Sequence, residues 1–404
     1  MKSEYTLLIS LGALLVLSPL VKGLMQRLGM PTLIGYIGLG FLVSIVHQQT
    51  SIITPAFDHT FAALAQLGVV ALLFRVGLNS HTAALLQKLA DAVLLWAGNV
   101  LVSFGFGLAV CFWLLGWALE TSLVVATAFS ATSVAVSVAV WDELNLLNTP
   151  QGQLVLDVAE LDDLSAVMLL AIVLAVIPVL QGDGISILRP LGMTAAAVMF
   201  KLALFVAGCY LFSNYLEPSF TRFNTRWEKS AVALTITVLG TGLAIAGIAE
   251  YLGFSLAIGA LFAGLAFSRD PEVVHTDAGF AYFYELLTPF FFIYIGMQVD
   301  PGSLVASLGL ATLLFVPATL GKFLGTAAPA CLIMSKRNAA QMGISMVPRA
   351  EIAMVVVFQC RQLDGDLVSD EVFTAMVVLA VMTSIFAPLV LRRLLVAPSQ
   401  AQGG

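Results

Sequence analysis

Charge is what this sequence has least of. Asp, Glu, Lys and Arg make up 10% of its 404 residues, against 60% apolar residues. A soluble domain carries about a quarter charged residues, so a water-soluble globule is excluded. Long polar stretches are missing as well, both between the apolar runs and after them, which leaves no room for a soluble domain. No run of Lys and Arg suggests a nucleic acid partner, and the formal charge of −6 says little, because most charges lie in short connections. Cysteine is scarce: Cys111, Cys209, Cys331 and Cys360 fall in or near apolar runs with no CxxC spacing, and read as small core residues. His47, His59, His81 and His275 lie in loops or at helix ends and form no metal or catalytic cluster.

What the sequence has in quantity is long apolar runs. Each covers roughly 20 residues, enough to cross a hydrocarbon core. The first, residues 5–21, has an acid upstream and no small-x-small cleavage site, so it reads as a helix and not as a signal peptide. Thirteen spans are expected: 5–22, 31–47, 57–79, 91–116, 120–140, 149–179, 187–214, 229–248, 250–268, 278–298, 303–334, 338–360 and 370–391. The break between the eighth and ninth falls near Glu250–Gly253. The expected fold class is an all-α polytopic membrane protein in a single transmembrane domain over residues 1–404.

Cations orient the bundle. Alternate connections collect Lys22, Arg27, Lys88, Arg222, Arg226, Lys229, Arg269, Lys336, Arg337, Arg392 and Arg393 on one side, against Lys2, Arg189 and Arg361 on the other. That asymmetry predicts a cytoplasmic-membrane protein with its N-terminus out and its C-terminus in. Thirteen also divides as six, one and six, and an odd linker span would set two six-helix units in inverted topology. Polar interruptions fall in the fifth span of each unit, at Ser130-Ala131-Thr132-Ser133 and at Val347-Pro348-Arg349-Ala350-Glu351. Proline removes a backbone donor, and such an opening is tolerated at membrane depth only beside protein or a water-filled cavity.

The sixth span carries Asp157, Glu160, Asp162 and Asp163, four acids within seven residues. Each would cost about 2.5–3.5 kcal/mol at a helix centre. With the span starting near Thr149, Asp162 and Asp163 lie about 20 Å along it, near the bilayer middle. Asp157 and Glu160 are accessory acids nearer its start, suited to a water-filled funnel. A later start, leaving 164–180 as the span, would instead put the acids in a wet loop. Lys322 sits mid-span in the eleventh segment, beyond snorkelling reach of either end, and needs a carboxylate partner or must give up its proton. Arg349 is similarly deep and keeps its charge, with Glu351, Asp157 and Glu160 as possible partners; an Arg349–Glu351 ion pair is expected as a structural or accessory contact. Arg75 is expected to reach the interface, Glu285 to cap a cavity or a helix end, and Lys201 has no assigned role.

Adjacent carboxylates in a low-dielectric cleft do not easily both stay ionised, so a proton or a cation neutralises one. Carboxylate, hydroxyl and carbonyl oxygens suit hard ions, and Thr132, Ser133 and the opened backbone supply the neutral ones. Proton and cation then compete for one site, and if only the filled site crosses the barrier, competition becomes exchange. Asp163 and Asp162 are the candidate metal ligands for that monovalent cation. The alternative is a sodium-coupled symporter of an organic anion, or a cation channel, on the same fold. A titrating lysine opposite the aspartates has no use in either. An intramembrane aspartyl protease is excluded, because neighbouring aspartates on one helix point about 100° apart and cannot form its dyad.

Thr132-Ser133, Asp162-Asp163, Gly321-Lys322-Phe323-Leu324-Gly325 and Val347-Pro348-Arg349-Ala350-Glu351 occur in this order, with Arg27-Leu28-Gly29-Met30-Pro31, Gly253-Phe254-Ser255-Leu256-Ala257-Ile258-Gly259-Ala260 and Phe290-Phe291-Phe292 near Gly296 around them. Together they resemble the monovalent cation:proton antiporter superfamily, in its branch with an aspartate pair, over essentially all the spans. The resemblance implies two inverted-topology repeats with crossed, broken helices and exchange of protons for sodium, lithium or potassium. It implies Asp163 as the main carrier and Asp162 as the partner of Lys322. It also implies electrogenic elevator-type transport and a homodimer, with no cofactor. On that resemblance the scaffold would be about 1–80 and 229–298, the core about 88–180 and 303–395, and the linker helix about 187–214. Two features depart from the pattern: Asn79 stands where an acid is common, and Asp157 and Glu160 are additional. No nucleotide is expected, since no nucleotide-binding domain follows Arg393.

Overall fold

The apolar runs fold as helices, because in hydrocarbon every backbone N–H and C=O must be satisfied within its own segment. The computed structural model describes residues 2–50, 55–79, 89–180, 188–227, 230–268, 277–363 and 366–396, and the regular structure among them is all helical. In chain order these are α1 (Lys2–Arg27), α2 (Thr32–Thr50), α3 (Pro55–Asn79), α4 (Leu89–Leu108), α5 (Leu119–Ser130), α6 (Val134–Glu143), α7 (Pro150–Leu180) and α8 (Leu188–Leu211). They continue as α9 (Glu217–Trp227), α10 (Ala231–Tyr251), α11 (Leu256–Phe267), α12 (Asp277–Met297), α13 (Leu304–Ala330), α14 (Lys336–Ser345), α15 (Glu351–Leu363) and α16 (Asp370–Val396). Wider π-type turns extend α4 through Ala109–Leu114 and α8 through Phe212–Leu216.

Every expected span holds a helix, and the fifth and twelfth hold two each, α5–α6 and α14–α15, where the polar interruptions were read. Among the described residues eight helices are long and apolar enough to cross a membrane, with shorter apolar ones at Thr32–His47, Leu119–Ser130 and Leu256–Phe267. The break expected near Glu250–Gly253 is present, with α10 ending at Tyr251 and α11 starting at Leu256. Between them Gly253 takes φ +92, a left-handed conformation costly for a residue with a Cβ. One helix went unread. α9 forms in the polar connection after the seventh span, running on from the π-type turn, with Glu217 in its first turn and Arg226 in its last.

The chain divides into two compact units, Met1–Ala83 with Ala171–Pro301, and Ala84–Leu170 with Gly302–Gly404, so the division falls inside α7. In the first unit α3 packs on α11 and α12, α2 on α12 and α10 on α11. Glycine permits these close approaches: a Cβ on Gly264 would lie 2.1 Å from the Phe74 carbonyl, and one on Gly77 2.1 Å from that of Leu261. α8, read as a linker, falls within this unit. In the second unit α4 lies along α13, which also packs on α14 and α16, while α5 contacts α4 and α15. Here Gly98 and Gly325 meet: a Cβ on Gly325 would be 2.7 Å from the Gly98 carbonyl. Trp141, Val155, Val158, Met342, Met346 and Val347 build a buried cluster beside the helix breaks.

Candidate functional site: an aspartate pair at two helix breaks

The site belongs to the second unit. α5 stops at Ser130, the chain runs extended through Ala131 (φ −73, ψ 144) and Ser133 (φ −91, ψ 100), and α6 begins at Val134. A second interruption separates α14 from α15. The two meet directly, with the Ser133 N–H donating to the Pro348 carbonyl at 2.7 Å. Two flanking contacts reinforce them: Ser137 Oγ donates to the Ser345 carbonyl at 2.5 Å, and Trp141 Nε1 to Ser345 Oγ at 2.9 Å.

A helix that ends leaves its last carbonyls without intrahelical donors, and those carbonyls carry the negative end of the dipole. At the end of α5 two cations take them. Lys322 Nζ donates to the Ser130 carbonyl, and Arg349 Nη2 to that of Phe129 at 3.1 Å. Lys322 is fully buried on α13 and also donates to Oδ2 of Asp162 at 2.6 Å, where both side chains are 0% exposed. Thr132 donates to the same Oδ2. Oδ1 of Asp162 and Oδ1 of Asp163 are buried and accept no hydrogen bond.

Asp163 is 7% exposed, on the adjoining face of α7, and its charged neighbours are Asp162, Glu351, Lys322 and Glu160. α7 runs unbroken from Pro150 to Leu180, so the acids lie on a helix, and the later start that would place them in a wet loop does not occur. Asp157 and Glu160 are half-buried on α7, before the pair. Ser165, one turn beyond Asp162, accepts from Trp96 Nε1 at 3.1 Å and donates to the Asp162 carbonyl at 2.9 Å, tying α7 to α4.

The expected Arg349–Glu351 ion pair is not formed. The Arg349 guanidinium donates to the carbonyls of Val347 (3.1 Å), Phe129 (3.1 Å) and Ala318 (2.7 Å) and lies 5.0 Å from the Phe129 ring centroid. Glu351 instead accepts from Ser133 Oγ at 2.7 Å. The cause is local: the breaks release the Phe129 and Val347 carbonyls, and with the Ala318 carbonyl within α13 their partial charges hold the guanidinium without a carboxylate. Ser133, expected as a cation ligand beside Thr132, is thereby committed to Glu351. Sequence reasoning also missed the Ser130 carbonyl, the Trp96–Ser165 tie and the carbonyl cradle, since none depends on a residue type that stands out.

The remaining polar residues fall elsewhere. Arg75 lies over the Tyr284 ring at 4.3 Å, Glu285 pairs with Lys22 at 2.6 Å, and Lys201 is exposed on α8. Among the described residues no group of three or more His, Cys, Asp or Glu side chains is arranged to hold a metal ion.

Two interrupted helices that meet, and a neutralised carboxylate beside a free one, can be set against known proteins. The model of the family described as sodium/hydrogen exchanger, transmembrane, matches residues 12–397. The chain belongs to this family. It is a multi-pass membrane protein and a monovalent cation/proton antiporter, not an enzyme. It is similar to a Na+/H+ antiporter of Enterococcus hirae, with 27% identity over 393 residues covering 94% of this chain and 95% of that one. It is also 25% identical over 395 residues to the Na+/H+-K+ antiporter GerN of Bacillus cereus, covering 96% of each. Among solved structures the fold resembles that of the sodium proton antiporter MjNhaP1 of Methanocaldococcus jannaschii, with TM-score 0.69 and 15% identity over 96% of both chains.

Proposed function

We propose that this antiporter exchanges protons for sodium or lithium, with potassium the alternative cargo, and that Asp163 carries both. The observation that supports this most is the asymmetry of the aspartate pair. Lys322 and Thr132 both occupy Oδ2 of Asp162, whereas Asp163 has no bonded cation and retains slight exposure. A proton or a small cation neutralises Asp163, and the two exclude each other. The charge left when neither is bound is costly in hydrocarbon and holds the empty site in place. Filled with either, the site moves, and alternating access follows. Thr132 and carbonyls at the breaks are candidate neutral ligands. Asp162 with Lys322 forms the second charge-bearing pair, and a proton moved by that pair would make exchange electrogenic.

The larger frame is part of the same reading. Thirteen spans form two inverted six-helix repeats about a linker helix, N-terminus out and C-terminus in. Residues of about 88–180 and 303–395 act as the moving core, and those of about 1–80 and 229–298 as the scaffold of a homodimer. Relatives named as Na+/H+ and Na+/H+-K+ antiporters support the choice of cargo. A symporter of an organic anion or a cation channel remains the competing class, and coupling separates them.

The test is proton flux in proteoliposomes under an imposed pH gradient, with sodium, lithium, potassium or choline added, for wild type and Asp163→Asn. Collapse of the gradient by a small cation, absent with choline and in the variant, is expected. Substantial coupled flux in Asp163→Asn would remove Asp163 from the carrier role. Cation flux without proton flux in wild type would favour the competing class.

A further inference from the structure

α8, the π-type turn and α9 follow one another without a gap from Leu188 to Trp227. At about 1.5 Å per residue a continuous helix of that length would reach about 60 Å, twice a hydrocarbon core of about 30 Å. α8, read as the seventh span, has 24 residues and so covers the core by itself, which leaves α9 outside it. Wide turns and prolines are where helices bend, and Phe212–Leu216 and Pro218 supply both at the start of α9.

The surface of α9 is sorted by chemistry. Arg222 and Arg226 are exposed and stand four residues apart, on one edge of the helix. Phe223 and Trp227 stand four apart on the adjoining edge, 63% and 78% exposed, with their rings 5.8 Å apart. Tyr215 and Leu216, in the preceding turn, are exposed as well. The opposite side is held inward by buried Thr221, which donates to buried Glu217 at 2.7 Å. Aromatic rings beside guanidiniums, facing away from the protein, match the boundary between acyl chains and headgroups. The planar guanidinium fork matches phosphate oxygens, and in Arg222, whose Nε donates to the Pro218 carbonyl at 2.9 Å, the exposed head is also fixed against the start of α9. α9 also lies in the connection that carries Arg222, Arg226 and Lys229, on the cation-rich side of the bundle.

We infer that α9 is an interfacial helix that binds the phosphate headgroups of anionic phospholipids through Arg222 and Arg226, with Phe223 and Trp227 seated among the upper acyl carbons. The inference does not depend on which cation the antiporter carries.

The experiment uses the full chain in vesicles of phosphatidylcholine with or without phosphatidylglycerol, the latter brominated either near the headgroup or deep in its acyl chains. Trp227 emission is isolated as the difference between wild type and Trp227→Phe. Shallow bromines should quench it more than deep ones. An unquenched Trp227 places α9 in water or under another protein chain and overturns the inference. Phosphatidylglycerol retained on the purified protein is then counted by native mass spectrometry. Each of Arg222→Gln and Arg226→Gln should weaken retention about fivefold, since a basic residue near an anionic surface contributes about 1 kcal/mol. Retention unchanged in the double variant, with Trp227 still quenched, would leave the aromatic seat but overturn the headgroup site.

Discussion

Lys322→Met tests the centre of the site by leaving Asp162 buried without its cation. The pair spans 2.6 Å and neither side chain is exposed. At that separation the attraction is about 6 kcal/mol for an effective dielectric of about 20, most of it offset by the cost of taking both charges out of water. Removing one partner forfeits the attraction and keeps the cost. Breaking such a pair therefore destabilises by about 3–5 kcal/mol. Thr132 still donates to Asp162, which places the loss toward the lower end. With an unfolding entropy of about 2.1 cal/mol/K per residue, melting in detergent should fall by about 4 °C. Asp162→Asn should also lower it, because Lys322 then keeps only neutral carbonyl acceptors, the Ser130 carbonyl among them, and loses its counter-charge. The double variant, Asp162→Asn with Lys322→Met, carries no stranded charge and should recover by about 2 kcal/mol relative to the sum of the single losses. Strictly additive losses would refute the coupling, and with it the view that these two charges hold each other in the resting protein.

Further outcomes follow from the same geometry. Asp162→Asn should reduce the charge moved per cycle before it stops transport; an unchanged current on a solid-supported membrane would take Asp162 out of the electrogenic step. If proton and cation compete for Asp163, the apparent KM for the cation should rise about tenfold for each pH unit lowered in the proton-dominated range, since one bound cation releases one proton. A KM flat with pH, read from initial rates, would mean separate sites. Arg349→Lys keeps the charge but loses the fork that reaches Val347 through Nη1 while Nη2 holds Phe129 and Ala318. It should cost about 2 kcal/mol, visible as a lower melting temperature. A variant as stable as wild type would show that the carbonyl cradle does not hold the breaks.

Much of the site was legible because hydrocarbon makes polar groups conspicuous. Asp162, Asp163 and Lys322 stand out in apolar runs since each is expensive there unless partnered. Pro348 and the Ser130–Ser133 stretch stand out because they interrupt spans that otherwise read as continuous helix. The unread features have the opposite character. α9 forms from a short polar stretch whose periodicity is hidden by its brevity, and the Arg349 cradle is made of main-chain carbonyls, which every residue possesses. Arg349 beside Glu351 in sequence suggested an ion pair, but helix start and extended break send the two side chains to different neighbours.

The sequence by itself determined that the chain spans a membrane many times, where its long apolar helices lie, and that an aspartate pair and a lysine share its interior. These follow from composition and periodicity, which act locally. Only the tertiary structure decided which aspartate the lysine takes, that Ser133 serves Glu351, and that carbonyls rather than a carboxylate hold Arg349. Those choices depend on α5, α7, α13 and the α14–α15 break meeting within hydrogen-bond reach, across sequence separations of up to 220 residues. At that range the packing of whole helices, not any local preference, selects the partner.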